Sequence, residues 1–328
     1  RALEAGFGDS LEAPGKPGED SFRELHRFMS GAREVGVRKA MDRTFRRLEQ
    51  VAARGEGLRP GMADIDAAGV PSPLDKMVRG LSGNIEQEGV EGARQDFKEA
   101  WNGQVADACR DVISGRYPFS RGSSSEVPLA DFARLFGPGG LLESFYRDTM
   151  QGMVDTSGKP WKWREGGPDA LGLPDSMPDQ FRKAEAIRTA FFGLGGTTPT
   201  VTFSLQPVEL DPTAEQTTIS VDGAEMTYAH GPVRRQDMKW PGDSGVRQAR
   251  VSFRPPASDG RSSITINGPW ALFRLLDQAD VQGGGSADRL NVTFRIGNRY
   301  ATWGLNAHSV ENPFALRELR TFRCPPRL

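Results

Sequence analysis

Histidine and cysteine are scarce in this chain of 328 residues, and so is net charge: there are 3 His and 2 Cys, and 42 Lys and Arg face 43 Asp and Glu. Two cysteines are too few for a disulfide scaffold, and Cys109 and Cys324 lack the close spacing of a zinc site. His26, His230 and His308 are far apart and fall in no metal-binding spacing, so we expect structural or solvated histidines and no cofactor. A formal charge of -1 leaves no global field to draw in nucleic acid or an anionic membrane, so partners have to be recognised by shape. No run of about 18 apolar residues occurs, and the start Arg1-Ala2-Leu3-Glu4 lacks the apolar core of a signal peptide, so no membrane insertion is expected. The chain does not begin with Met, which suits a piece of a larger protein whose export depends on sequence elsewhere.

What is present is enough to fold. Hydrophobic residues make up 37% and charged residues 26%, so the chain can bury sufficient apolar surface to offset its ordering entropy. Its length predicts two cores. Residues 1–20, rich in Gly, Pro and charge, read as a flexible linker. Leu25, Phe28, Met29, Val37, Met41, Phe45, Leu48 and Val51 recur at helical spacing, and a second helical region follows from about Leu74 to Ile113. In it Phe97, Trp101, Val105, Ala108, Cys109 and Val112 share one face, which turns Trp101 and Cys109 inward. Short helices are expected around Phe132–Phe136 and from Leu141, on either side of the breaker Gly137-Pro138-Gly139-Gly140, and the last spans about Ser176 to Phe192.

At Gly193–Gly196 the period of the pattern changes from about 3.6 to 2. Val201, Phe203 and Leu205 alternate with Thr202 and Ser204, and the pattern returns at Ile219/Val221, Met226/Tyr228, Val251/Phe253 and Ile264/Ile266. Asp222-Gly223 and Gly297-Asn298 suit two-residue hairpins, the second joining Leu290, Val292, Phe294 and Ile296 to Ala301, Trp303 and Leu305. Pro269 to Leu276 is apolar nearly all round, as in a helix plugging a sandwich, and Asn312-Pro313 is expected to cap a final helix, Phe314 to Phe322. The fold class expected is α+β: an N-terminal helical bundle (21–195), an antiparallel β-sandwich with one inserted helix (196–311), then a C-terminal helix and tail (312–328).

Catalytic constellations are hard to assemble. Ser123, Ser124 and Ser125 lie in a polar loop, not a strand-to-helix elbow, and no Lys-Ser/Thr follows the glycines at 137–140 as in a phosphate-binding loop. Asp64/Asp66 and Glu86/Glu88 sit in polar segments where charge marks a solvated face. Trp161 and Trp163, among Lys159, Lys162 and Arg164, form an aromatic-basic patch suited either to stacking on sugars or bases or to packing. Cys109 and Cys324 are either two buried thiols or, in an oxidising compartment, one bridge that would add roughly 5 kcal/mol at most and tie the tail to the helical part.

Several segments together resemble the C-terminal part of IcmF/TssM proteins of the type VI secretion system. They are Gly115-Arg116-Tyr117-Pro118-Phe119, Phe136 to Gly140, Val154-Asp155-Thr156-Ser157, Gly231-Pro232, Trp240-Pro241-Gly242, Gly268 to Leu275, and Asn312-Pro313-Phe314 through Phe322-Arg323-Cys324-Pro325. The resemblance implies a helical domain followed by a β-sandwich, both periplasmic, with an inner-membrane anchor upstream of this chain. It implies docking of the outer-membrane lipoprotein TssJ here and of TssL through regions absent here, and an architectural role with no catalytic residues. No motif carries the docking residues. Sandwich loops with exposed aromatics or Arg direct attention to His230, Pro232, Arg234 and Trp240, and to the loop from Val281 to Asp288. Two other functions remain in view: a periplasmic carbohydrate- or peptidoglycan-binding module, suggested by Trp161 and Trp163, and a hydrolase with an interdomain site.

Overall fold

Residues 92–100 are helical, and a widened turn follows them. In the computed structural model, which describes residues 92–164, 172–193, 195–286 and 288–328, Trp101–Ala106 winds as a π-helical turn and continues as α1 (Asp107–Ile113). A π turn spends one extra residue per hydrogen bond, which rotates the inward face. Val105 and Ala106 are therefore both buried and Ala108 is only half-buried, where a constant 3.6 period places Ala108 inward. Trp101 and Cys109 are fully buried, as their spacing predicts. The linker and helix expected over residues 1–53 lie outside the described residues.

Three further helices follow: α2 (Leu129–Phe136), α3 (Leu141–Phe145) and α4 (Met177–Phe192). Gly137 N–H closes α2 on the Ala133 carbonyl at 2.8 Å, and Gly139 N–H donates to Glu143 Oε2 at 2.6 Å at the start of α3. The glycine run thus uses its donors on its own helix ends. Along α4, Phe181, Ala184, Ile187, Ala190 and Phe191 are buried at three- and four-residue intervals.

The period-2 segment builds two antiparallel sheets. Its strands are β1 (Val201–Leu210), β2 (Gln216–Val221), β3 (Ala224–Tyr228), β4 (Gln236–Trp240), β5 (Gln248–Arg254) and β6 (Ser263–Asn267). After α5 (Ala271–Leu276) come β7 (Asp280–Gly283), β8 (Arg289–Ile296) and β9 (Arg299–Ala307). One sheet has the order β4-β1-β9-β8-β7 and the other β3-β2-β5-β6. Every expected strand is present, and β4 and β7 are added at the two edges of the larger sheet. The β2–β3 hairpin closes with Val221 opposite Ala224, and Asp222 and Gly223 take φ of 48° and 92°, the positive pair a tight hairpin needs. Phe203, Leu205, Val292, Phe294 and Trp303 of the larger sheet are buried, as are Ile219, Val221, Val251 and Phe253 of the smaller. Each such side chain contributes about 1.5–3 kcal/mol by leaving water.

Helix α5 does more than plug the sandwich. Trp270, at its start, lies 5.2 Å from Phe132 of α2, 5.9 Å from Phe191 of α4 and 5.1 Å from Trp240 of β4. Its indole N–H donates to the Val127 carbonyl at 2.7 Å. Gly268 holds φ at 119°, and a Cβ there would stand 2.6 Å from Glu126 Oε2. Glu126 in turn receives the Trp270 backbone N–H at 3.3 Å and the Arg274 guanidinium. Helices and sheets are thus joined by one aromatic cluster, and residues 100–162 and 174–328 form a single compact unit. The switch at Gly195 changes the secondary structure without ending a core. Residues 92–99, 163, 164, 172 and 173 fall in a second unit.

The C-terminal helix is shorter than expected. Asn312 Oδ1 accepts the Phe314 N–H at 3.0 Å, so the Asn turns the chain locally, and the helix is the single turn α6 (Glu318–Thr321). The tail then returns to the helical part. Trp101 Nε1 donates to the Pro326 carbonyl at 2.9 Å, and Asn102 bonds both the carbonyl and the N–H of Leu328 at 3.0 and 3.2 Å. Cys109 and Cys324 are joined, with Cα atoms 5.9 Å apart. Among the described residues no helix is long and apolar enough to cross a membrane.

Candidate functional site

The loop from β3 to β4 crosses between the two sheets, and every residue from Ala229 to Arg235, other than its ends' neighbours Tyr228 and Gln236, is exposed. It is nevertheless anchored. His230 takes φ of 54°, its Nε2 lies 2.7 Å from the carbonyl of buried Ala214, and its ring stands 6.2 Å from that of Tyr228. Pro232 restricts the next turn, and Val233, 56% exposed, is presented beside Arg234 and Arg235. An exposed apolar side chain followed by two arginines on a pinned loop is a surface that a protein partner can desolvate with little loss of loop entropy.

The other candidate loop lies elsewhere. Strand β7 is at the far edge of the larger sheet from β4, about 19 Å away at four strand spacings of about 4.8 Å. All four of its residues are exposed, Val281 by 45%, and its outer edge pairs with no described strand. Asp288 is also exposed. A hydrogen bond from the Ser286 side chain holds its carboxyl below the usual range, and its carbonyl accepts the Ala307 N–H at 2.9 Å. His230, Pro232 and Arg234 therefore share one surface, and Val281 and Asp288 belong to another.

Trp240 belongs to neither, which corrects its reading as an exposed anchor. It is 0% exposed, 4.8 Å from Phe273 and 5.1 Å from Trp270, with its indole N–H on the Pro269 carbonyl at 3.1 Å. The charged neighbours of Gln236-Asp237-Met238-Lys239 disguise an edge strand whose alternate residues Met238 and Trp240 point inward.

The chemically suggestive residues have structural partners. The Ser123 carbonyl accepts from the Arg274 guanidinium at 2.7 Å, and its Oγ accepts the Ser125 N–H at 3.0 Å. His308 Nε2 stands 3.9 Å from Asp237. Among the described residues no three of His, Cys, Asp and Glu are placed to hold a metal ion. His26, Asp64, Asp66, Glu86 and Glu88 lie outside them. Tyr117 donates to Asp277 Oδ2 at 2.9 Å while the Arg274 guanidinium covers its ring at 4.1 Å. Burial, with the Asp277 charge, pushes the Tyr117 phenol far up, so it stays a donor. This Glu126-Arg274-Tyr117-Asp277 network, which ties α5 to the α1–α2 loop, joins residues about 150 apart and has no local sequence signal.

Trp161 lines a groove with Tyr146, Phe181, Glu143, Glu185 and Arg188, whereas Trp163 belongs to the other compact unit. Arg188 is ion-paired with Glu143 and lies 3.7 Å from Glu185. Burial pushes the Glu185 carboxyl up and the Arg188 guanidinium down.

Known proteins match both parts of the chain. A family model of the type VI secretion protein IcmF helical domain matches residues 92–195, and one of the IcmF C2-like domain matches residues 203–309. Type VI secretion system component TssM1 of Pseudomonas aeruginosa is 39% identical over 258 residues, which are 79% of this chain and 23% of that protein. The chain thus spans less than a quarter of that relative's length. Among solved structures, the TssM C-terminal domain from EAEC superposes with a TM-score of 0.61 at 23% identity, covering 71% of this chain and 97% of that one. A chain of a type VI secretion system membrane core complex superposes with a TM-score of 0.68 at 20% identity, covering 94% and 64%. At these identities the two structures share the fold.

Proposed function

The chain belongs to the IcmF/TssM family, and from that premise we propose that it is the periplasmic, partner-docking part of a type VI secretion membrane complex, binding the outer-membrane lipoprotein TssJ and so bridging the two membranes. Its work is architectural, not enzymatic. Contact with TssL and the inner membrane runs through parts of the protein outside this chain. The Cys109–Cys324 bond supports an oxidising compartment, since cytosolic thiols are kept reduced.

The observation that carries the reading is the pinned, fully exposed loop 229–235, which offers Val233 and Arg234 on a rigid sandwich. Docking there requires no rearrangement of the core, as suits a part that transmits load. Calorimetry of this chain with the soluble part of the cognate lipoprotein tests it. Saturable association is expected, weakened at least about tenfold, or 1.4 kcal/mol, by Val233→Asp combined with Arg234→Glu. Absence of association removes the proposal. Undiminished association of the double variant moves the contact away from this loop.

A further inference from the structure

We propose that the groove between α3 and α4 that Trp161 lines is a saccharide-binding site, taking one pyranose ring of a glycan chain. The inference stands apart from lipoprotein docking, since the groove lies in the helical part and shares no residue with loop 229–235.

Shape comes first. The cavity measures about 210 Å³, room for a single ring and smaller than the pockets that enclose drug-sized ligands. Its floor is apolar, formed by Phe136, Leu142, Phe181 and Ala184. One wall is aromatic: the Trp161 ring stands 5.4 Å from that of Tyr146, tilted by 32°, and Tyr146 rests 6.0 Å from Phe181. Trp101, Trp240, Trp270 and Trp303 are each 0% exposed, whereas Trp161 stays half-buried and open to the groove. The indole is ordered by its neighbours yet not consumed by them.

The rim then selects the ligand. Glu143 and Glu185 accept hydrogen bonds, Arg147 and Arg188 donate them, and Gln151 does both. Arg188 is paired with Glu143 and Arg147 with the neighbouring Asp148, so both guanidinium charges at the rim are already neutralised and leave no cationic field to favour an anion. A sugar ring fits this balance, because each hydroxyl both donates and accepts while the C–H face of the ring lies against an aromatic side chain. Glu185 has capacity for such a hydroxyl: Arg188 stands 3.7 Å away, outside hydrogen-bond range, and burial has already removed part of the carboxylate's water. Arg188, held by Glu143, is fixed as a donor at the same edge.

One ring of about a dozen non-hydrogen atoms in an open groove corresponds to a Kd on the order of 1 mM, and a glycan chain presenting many rings raises the effective affinity. The test uses the whole 328-residue chain with three probes: a cello-oligosaccharide, an N-acetylglucosamine oligosaccharide and a muramic-acid-bearing oligosaccharide. Calorimetry and tryptophan fluorescence are expected to show saturable binding of at least one. Trp161→Ala is expected to weaken it at least tenfold with an unchanged melting temperature, and Glu185→Gln about threefold, so the second variant decides if the first fails to fold. No binding of any probe up to about 10 mM, or binding that survives both substitutions, overturns the proposal.

Discussion

At the scale of single residues, patterning predicts where a side chain points and says little about which distant group it meets. Trp101 and Cys109 are buried as their helical spacing requires, yet their partners, Pro326 and Cys324, come from the far end of the chain. The same holds for Asp179, which sits in the first turn of α4, a favourable place for a negative charge. Burial alone would raise its carboxyl. Hydrogen bonds from Arg182 at 2.6 Å and from Lys183 outweigh burial and hold it below the usual carboxylate range. Arg182 also reaches Glu318 at 3.2 Å, so the cluster clamps α6 onto α4. Because the folded pKa is depressed, the stabilisation is fully present above the unfolded value of about 4 and is lost as pH falls through the folded pKa. Melting temperature is therefore expected to decline on acidification below about pH 4, and the decline to be shallower in Asp179→Asn. Parallel curves for the two proteins would show that the cluster adds nothing.

At the scale of elements, strands with strict alternation are legible in the sequence, the edges of the smaller sheet included, and the two edge strands of the larger sheet are not. Val251/Phe253 and Leu290 to Ile296 announce themselves because one face is sealed. Edge strands β4 and β7 carry charge or glycine, the usual protection of an unpaired edge, and so read as loops. The final helix is shorter than its pattern predicts for the opposite reason: Asn312 satisfies a turn by itself, and four residues, Glu318–Thr321, are helical. The π turn at Trp101–Ala106 likewise escapes a constant period. More consequential is the joint between the halves. A change of period marks a change of element, but Phe191, which packs 5.2 Å from Phe132 on its own side, contacts Trp240, Trp270 and Phe273 across that change with ring centroids 5.6–6.1 Å apart. Phe191→Ala is expected to cost about 3–5 kcal/mol in urea unfolding, with one cooperative transition in the parent chain for residues 100–162 and 174–328 together. Two separated transitions for this unit, or a loss below about 1 kcal/mol, would mean that helices and sandwich fold independently. On the same grounds a fragment starting near residue 197 exposes Trp240, Trp270 and Phe273 on one side, so loss of partner binding by such a fragment would reflect its folding before it reflected the docking loop.

At the scale of the whole molecule, residues 322–328 tie the two ends of the compact unit together. Residues 322–328 run back over the helices, held by Trp101, Asn102 and the Arg327–Asp107 pair, with Phe322 5.1 Å from Phe136. The bond from Cys109 to Cys324 closes a loop of 215 residues around nearly all of the compact unit. Without the cross-link this segment would open readily, since a few solvent-exposed hydrogen bonds open at little cost. Cross-linking replaces that weak series of contacts by one that cannot open without chemistry. Loop-closure entropy assigns the bond roughly 5 kcal/mol, and a unit of this size shifts its melting temperature by about 2 °C or more for each kcal/mol. Reduction, or replacement of both cysteines by alanine, is therefore expected to lower the melting temperature by roughly 10 °C and to make the chain beyond Phe314 the first site of limited proteolysis. A drop below about 2 °C with unchanged cleavage would show that the hydrogen-bonded strap holds the tail unaided and that the disulfide only records the compartment in which the protein folds.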